Sequence, residues 1–168
     1  VINNGSTDES GAICASFCSQ HKSFRLLTIE DNIGKGNAMK LGFKKGNGDI
    51  FIIQDADLEY NPDDYEVLVN PIIAGKSKFV MGIRFLNDEQ SAWRIRSIDG
   101  EKLYGFLLNI GGVLINLLIN LLYGARLYDQ ATMFKVIHKD LLKLIRLDSD
   151  KFELEVEMNC KFLRLGII

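Results

Sequence analysis

The sequence is poor in proline, cysteine and net charge, and each shortage removes a class of protein. Only 2 prolines occur in 168 residues, Pro62 and Pro71, so Pro-rich linkers are absent. The 3 cysteines are too few for a disulfide scaffold at this size. Lys plus Arg is 20 and Asp plus Glu is 22, a formal charge of -2. A domain that holds nucleic acid through its overall field would be distinctly basic. Any anionic substrate must therefore be met by local charge. Repeats and low-complexity tracts are missing too. What remains is 47% hydrophobic and 25% charged, the composition of a globular domain, which excludes disorder for most of the chain. The length suits one domain with a substantial core.

The chain opens at Val1, on a strand end that runs into a turn (Val1-Ile2-Asn3-Asn4-Gly5). It stops after Leu165-Gly166-Ile167-Ile168. The expectation is a fragment of a longer protein. Residues 8–22 predict a helix, with Ser6, Thr7 or Asp8 as its N-cap. Phe24–Ile29 predicts a short strand, and 36–45 a helix stopped by Gly46-Asn47-Gly48. Ile50-Phe51-Ile52-Ile53 is a continuous apolar run, suited to a strand buried on both faces, as in a parallel sheet. Asn61 caps a helix with Pro62 at its first position and Tyr65, Leu68 and Ile72 as its apolar stripe. Lys78–Gly82 predicts another strand. This β-α-β-α-β order argues for an α/β domain with a parallel sheet and right-handed crossovers. Further strands and helices are expected at Met133–Ile137, Lys139–Ile145 and Glu155–Leu165.

Leu103–Ala125 contains no charged residue in 23 positions, long enough to span a bilayer. Asn109, Asn116 and Asn120 share one helical face, and Gly105, Gly111, Gly112 and Gly124 lower its hydrophobicity. A spanning helix would also separate acidic residues that look like parts of one site. The expectation is a helix buried against the sheet or lying in the membrane interface.

The strongest chemical feature is Gly48-Asp49-Ile50-Phe51-Ile52-Ile53-Gln54-Asp55-Ala56-Asp57-Leu58-Glu59. A buried strand runs straight into two carboxylates spaced i, i+2, which extended backbone points to one face. The carboxyl ends of strands are where open α/β sheets bind ligands. Two hard oxygen donors suit Mg²⁺ or Mn²⁺ with phosphate oxygens, and Glu59 adds a third. The plain alternative is an acidic turn capping the next helix. Asn3-Asn4-Gly5-Ser6-Thr7-Asp8 is a strand end with free amides, or simply a turn with an N-cap. Asn32-Ile33-Gly34-Lys35-Gly36 lets backbone approach a ligand beside a positive charge, or is an ordinary glycine-rich loop; it is not a Walker A loop. Cys14, Cys18 and His21 share a helical face but lack a fourth zinc ligand, so packing is expected of them, and of His138 a structural role.

Taken in order, Asn-Gly-Ser-Thr-Asp, Asn-x-Gly-Lys-Gly, Gly-Asp-Ile-x-Ile-x-Gln-Asp-Ala-Asp-Leu-Glu-Tyr and Gly-x-Arg-Phe resemble family 2 glycosyltransferases, most nearly the dolichyl-phosphate mannose synthase-like subgroup. The resemblance runs from residue 1 to 168. It implies a GT-A fold, α/β with a mostly parallel sheet whose first strand lies upstream. A nucleotide and metal half would cover about 1–85 and an acceptor half about 86–168. It implies an inverting enzyme that moves a sugar from a UDP- or GDP-linked donor to a polyprenyl phosphate or a saccharide, with Mn²⁺ or Mg²⁺ on the diphosphate. Asp55 and Asp57 match the family's D-x-D, with Ala56 between them and Glu59 helping to bind metal. Asn4, beside Gly5, stands where the family has a nucleotide-binding Asp, and offers a donor as well as an acceptor. Gly34, Lys35 and Gly36 match the loop near the nucleotide. Arg84 matches a phosphate-binding Arg, with Ile83 replacing Ser. Asp129-Gln130-Ala131-Thr132-Met133-Phe134-Lys135 matches Asp-x-x-Thr/Ser-Gly-Phe-Lys/Arg, Lys135 meeting the diphosphate, Asp129 ordering the loop and Met133 replacing Gly or Cys. Phe152-Glu153-Leu154-Glu155-Val156-Glu157 matches Phe-x-x-Glu-x-Glu, with Glu155 at the position of a catalytic acid and Glu157 near the acceptor; the plain alternative is a pair of helix N-terminal acids.

The resemblance makes Asp57, Glu155 and Lys135 the catalytic candidates. A base is needed only when a hydroxyl attacks, because a polyprenyl phosphate is already an anion. Trp93, Arg94 and Arg96 would meet a lipid phosphate at a membrane surface, the plain and commoner alternative being a Trp over the core edge with exposed basic neighbours. The implied location is the cytoplasm, at the cytoplasmic face of the membrane, with no nucleic-acid partner. Two other readings stay open: a sugar nucleotidyltransferase on a similar sheet, and a binding domain that kept the fold without catalysis.

Overall fold

The structure, a computed structural model, describes residues 1–57, 60–83 and 102–168, with side chains in the last stretch from residue 110 onward. The described chain packs as two compact units, 1–47 with 146–157, and 48–145 with 158–168. This division by packing differs from the division by role expected near residue 85.

The first unit is a β-α-β-α succession. Strand β1 (Ile2–Asn4) leads to helix α1 (Ser10–Gln20), then β2 (Leu27–Ile29) and helix α2 (Lys35–Lys45). β1 and β2 pair in parallel, Ile2 opposite Leu27 and Asn4 opposite Ile29, as a helical crossover requires. α1 starts later than the sequence suggests, and Glu9 stands at its cap without a side-chain bond. Of the candidate caps, Asp8 bonds the first helical amide from one residue further out. Asn3 Oδ1 accepts from the Ser6 amide at 3.1 Å, and Asp8 Oδ1 from the Ser10 amide at 3.0 Å. Hydrogen bonds from Ser10 hold the Asp8 carboxyl below its usual range. Residues 146–157 complete this unit with a loop and the start of helix α6 (Glu153–Arg164).

The second unit holds β3 (Ile50–Ile52), a 3-10 turn at Pro62–Asp64, α3 (Tyr65–Ile73), β4 (Phe79–Met81), α4 (Lys102–Tyr123), β5 (Lys135–His138) and α5 (Lys139–Leu142). Asn61 caps the turn as expected, accepting from the Asp63 amide, and Leu68 and Ile72 are buried along α3. The strand order is β3-β5-β4, with β5 antiparallel to both neighbours. β3 and β4 therefore run in the same direction, as the crossover through α3 predicts. The central place between them goes to a strand from far along the chain. Hydrophobic runs reveal burial but not neighbours, so the sequence pattern did not show this antiparallel insertion. Val136 and Ile137 of β5 are fully buried, as are Met158 and Phe162, whose ring lies 4.9 Å from that of Phe79. Burying a side chain such as Phe162 contributes roughly 2–3 kcal/mol.

Among the described residues no helix is long and apolar enough to cross a membrane. α4 turns its polar side inward instead. Asn120 exchanges two hydrogen bonds with the Leu127 backbone, each 2.8 Å, and Asn116 binds the Leu127 carbonyl at 2.8 Å and the Gln130 amide at 3.3 Å. Ile119 is buried, but Val113, Leu114, Ile115, Leu117, Leu118, Leu121 and Leu122 are 44–78% exposed. The helix is thus less covered than half-burial against a sheet would make it.

Candidate functional site

In the first unit two glycines shape the start of α2. Gly34 has φ +145°, and a Cβ there would lie 2.5 Å from the Asp150 carbonyl oxygen. A Cβ on Gly36 would lie 2.7 Å from the Lys151 carbonyl oxygen. These glycines let the start of α2 approach the chain's own 150–151 backbone. The Asn37 amide donates to the Asp150 carbonyl at 2.8 Å, and Lys40 pairs with the Asp150 carboxylate at 2.7 Å. Lys35 is thereby fixed at the first position of α2. Its ammonium lies 3.5 Å from Glu155 Oε1 and 5.8 Å from the centre of the Phe152 ring.

A cavity of about 400 Å³ opens here, lined by Asn4, Asn32, Ile33, Gly34, Lys35, Lys151 and Phe152. Asn4 sits at the end of β1, where Gly5, at φ +70°, turns the chain. Its Nδ2 donates to Asn32 Oδ1 at 3.0 Å, while its Oδ1 is buried without a partner. One of the two Nδ2 donors that distinguish Asn4 from an aspartate is therefore used, and the Oδ1 is an uncommitted acceptor. Glu157 faces its own loop: its two carboxylate oxygens accept from the Asp148 and Ser149 amides, each at 2.9 Å.

In the second unit the stretch after β3 carries the carboxylates. Gln54 accepts from the Tyr65 hydroxyl at 3.1 Å and donates to the Asp55 carbonyl at 2.8 Å, fixing the strand exit. Asp55 is half-buried, and Ala56 and Asp57 are exposed. Among the described residues no three of His, Cys, Asp and Glu gather as a metal cage. Two carboxylates, one partly sheltered and one open, fit a hard ion that keeps most of its positions for water and phosphate, as Mg²⁺ does. Glu59, Arg84, Trp93, Arg94 and Arg96 lie outside the described residues.

The 129–135 segment turns its basic residue inward. Lys135 is fully buried, and its ammonium donates to the carbonyls of Thr132 and Gln130. It opens the central strand β5 opposite Met81, so its side chain enters the interior and braces its own loop. Met133 is also buried, and its amide donates to the Tyr60 hydroxyl at 3.0 Å. The Asp129 carbonyl accepts from the Thr132 amide at 3.4 Å, closing the turn. Asp129 and Ile83 line one cavity of about 220 Å³, which brings the Gly82-Ile83 and Asp129 segments together.

The profile of Glycosyl transferase family 2 matches residues 1–143. The chain belongs to glycosyl transferase family 2. That membership gives the α/β arrangement its place in the GT-A fold. A dolichyl-phosphate beta-glucosyltransferase, ALG5D of Trichomonas vaginalis, is 26% identical over 86% of this chain and 43% of its own length. The low-salt glycan biosynthesis hexosyltransferase Agl6 of Haloferax volcanii is 25% identical over 94% of this chain and 35% of its own. An undecaprenyl-phosphate 4-deoxy-4-formamido-L-arabinose transferase of Photorhabdus laumondii is 30% identical over 56% of this chain and 29% of its own. The chain thus spans less than half the length of these curated relatives.

Within this family 2 domain, sequence reasoning missed four contributors. Asn32 orients Asn4, Phe152 walls the cavity, and Lys40 with Asp150 ties down the loop that bears it. Asn32 and Phe152 lay inside the recognised motifs but carry no charge, so no chemical role suggested itself. His21 stacks on Phe17 with centroids 4.3 Å apart, and Cys14 and Cys18 are free thiols. His138 caps α5, its Nδ1 accepting from the Asp140 amide.

Proposed function

We propose that this family 2 domain binds a nucleotide-sugar through a divalent metal and transfers the sugar, with inversion, to a polyprenyl phosphate. The observation that carries the reading is the delivery of Asp55 and Asp57 by β3, at a strand exit held by Gln54 and Tyr65. Relatives named as dolichyl-phosphate and undecaprenyl-phosphate transferases support the acceptor class. In the reaction a phosphate oxygen of the acceptor attacks the anomeric carbon, and the bond from that carbon to the diphosphate breaks. The acceptor is already anionic, so no proton needs removing. Asp55 and Asp57, with Glu59, would hold Mn²⁺ or Mg²⁺, which neutralises the departing diphosphate. Lys35 supplies positive charge to the cavity wall, and Asn4 offers a hydrogen-bond acceptor beside it.

A lipid acceptor also gives the exposed face of α4 an occupant. Seven aliphatic side chains face outward while Asn116 and Asn120 are used internally, the arrangement suited to lying in a membrane interface. Three measurements test the reading. Asp57→Asn should abolish metal-dependent transfer to polyprenyl phosphate, and an unchanged rate would overturn the metal assignment. Release of inorganic pyrophosphate instead of nucleoside diphosphate would mark a nucleotidyltransferase. Leu121→Glu should reduce binding to anionic phospholipid vesicles, and undiminished binding would remove α4 from the interface.

A further inference from the structure

We infer that Glu155 is a positioning residue that holds Lys35 at the cavity wall, not the base of the transfer reaction. This rests on the functional reading above. Three observations place the two side chains in different roles. Lys35 lines the cavity, whereas Glu155 supplies none of its described lining. Glu155 is only 9% exposed, and its Oε1 lies 3.5 Å from the Lys35 ammonium. The backbone on both sides is closely apposed, since Gly34 and Gly36 leave no room for a side chain against residues 150–151.

The chemistry agrees with that division. Glu155 lies in the first turn of α6, where unpaired helix amides favour an anion. A lysine carries its charge on a flexible four-carbon stem, so a fixed counter-ion decides where the ammonium spends its time. The Phe152 ring supports the same ammonium from 5.8 Å. An acceptor that is already a phosphate anion needs no base, and a carboxylate withheld from the cavity is suited to that acceptor class. A sugar hydroxyl would need a carboxylate within hydrogen-bond reach.

The test uses the protein at its full natural length, with nucleotide-sugar and polyprenyl phosphate. Glu155→Gln should raise the donor KM about fivefold, the scale of one partly shielded ion pair. Its kcat should stay within about twofold, since no base is lost. Lys35→Met should raise the same KM, and the double variant should be no worse than Lys35→Met alone. Glu155→Asp, which keeps the charge, should recover part of the loss and serves if the glutamine variant folds poorly. A fall in kcat of roughly 10²–10⁴ with KM unchanged would make Glu155 the base and overturn the inference. Additive effects in the double variant would overturn it as well. A wild-type protein that transfers no sugar would sink the functional reading and this inference with it, whereas the preceding outcomes sink this inference alone.

Discussion

Replacing Gly34 with alanine tests whether the glycines of the Gly34-Lys35-Gly36 turn exist for the chain's own packing. Gly34 holds φ +145° and ψ 166°, a region essentially closed to residues with a Cβ. The added Cβ would also meet the Asp150 carbonyl oxygen at 2.5 Å and Lys151 Cγ at 2.8 Å. That carbonyl accepts the Asn37 amide at 2.8 Å, so moving it aside weakens a hydrogen bond too. Backbone strain and the lost bond together cost about 2–4 kcal/mol. Three other glycines calibrate the argument. Gly36→Ala has no φ strain but a backbone overlap at 2.7 Å, and should cost about 1–3 kcal/mol. Gly75 has φ +68° with open space around it, so alanine should cost only about 1–2 kcal/mol. Gly111 lies in α4 with nothing within 4 Å, so alanine should stabilise by about 0.5–1 kcal/mol. Urea denaturation with a common m-value gives the ranking. If Gly34→Ala cost no more than Gly75→Ala, the close-approach reasoning would be wrong.

Lys135→Met should destabilise the fold by about 1–3 kcal/mol in urea, because buried carbonyls of Thr132 and Gln130 lose a charged donor; unchanged stability would release Lys135 for a ligand role. Asn120→Leu should cost about 1–3 kcal/mol through the two bonds to Leu127, although it makes α4 more apolar; a gain in stability would refute the inward orientation. The Lys139 ammonium holds the Asp49 carboxyl below its usual range. The stability from this lowered pKa is complete above the unfolded aspartate value of about 4 and disappears as pH falls through the lowered one. Asp49→Asn should therefore flatten the acid arm of the Tm–pH curve, more at low salt than at high; parallel curves would show that the pair contributes nothing.

Much of the fold was legible because its signals are local. The apolar run at Ile50–Ile52, the Asn61-Pro62 start and the Leu68–Ile72 stripe need only neighbours a few residues away, and all appear where the pattern put them. The insertion of β5 between β3 and β4 was not legible, since pairing across more than 80 positions leaves no trace in periodicity. The site divides in the same way. Asp55 and Asp57 announce themselves by charge and spacing beside a strand. The inward turn of Lys135 follows from the central place of β5, and the Lys35–Glu155 pair joins positions 120 apart. Glycines 34 and 36 were readable as close-approach residues, but what they approach is the chain itself.

The central claim is that this domain binds a nucleoside diphosphate through a metal, and thermal stability tests it most directly. The full-length protein would be heated with UDP or GDP, each with and without Mn²⁺. A ligand at 100 times its Kd adds about 2.7 kcal/mol, a Tm rise of several degrees. The account predicts that rise with one nucleotide, only when Mn²⁺ is present, and its loss in Asp57→Asn. No shift with either nucleotide, or a shift indifferent to metal, would contradict it.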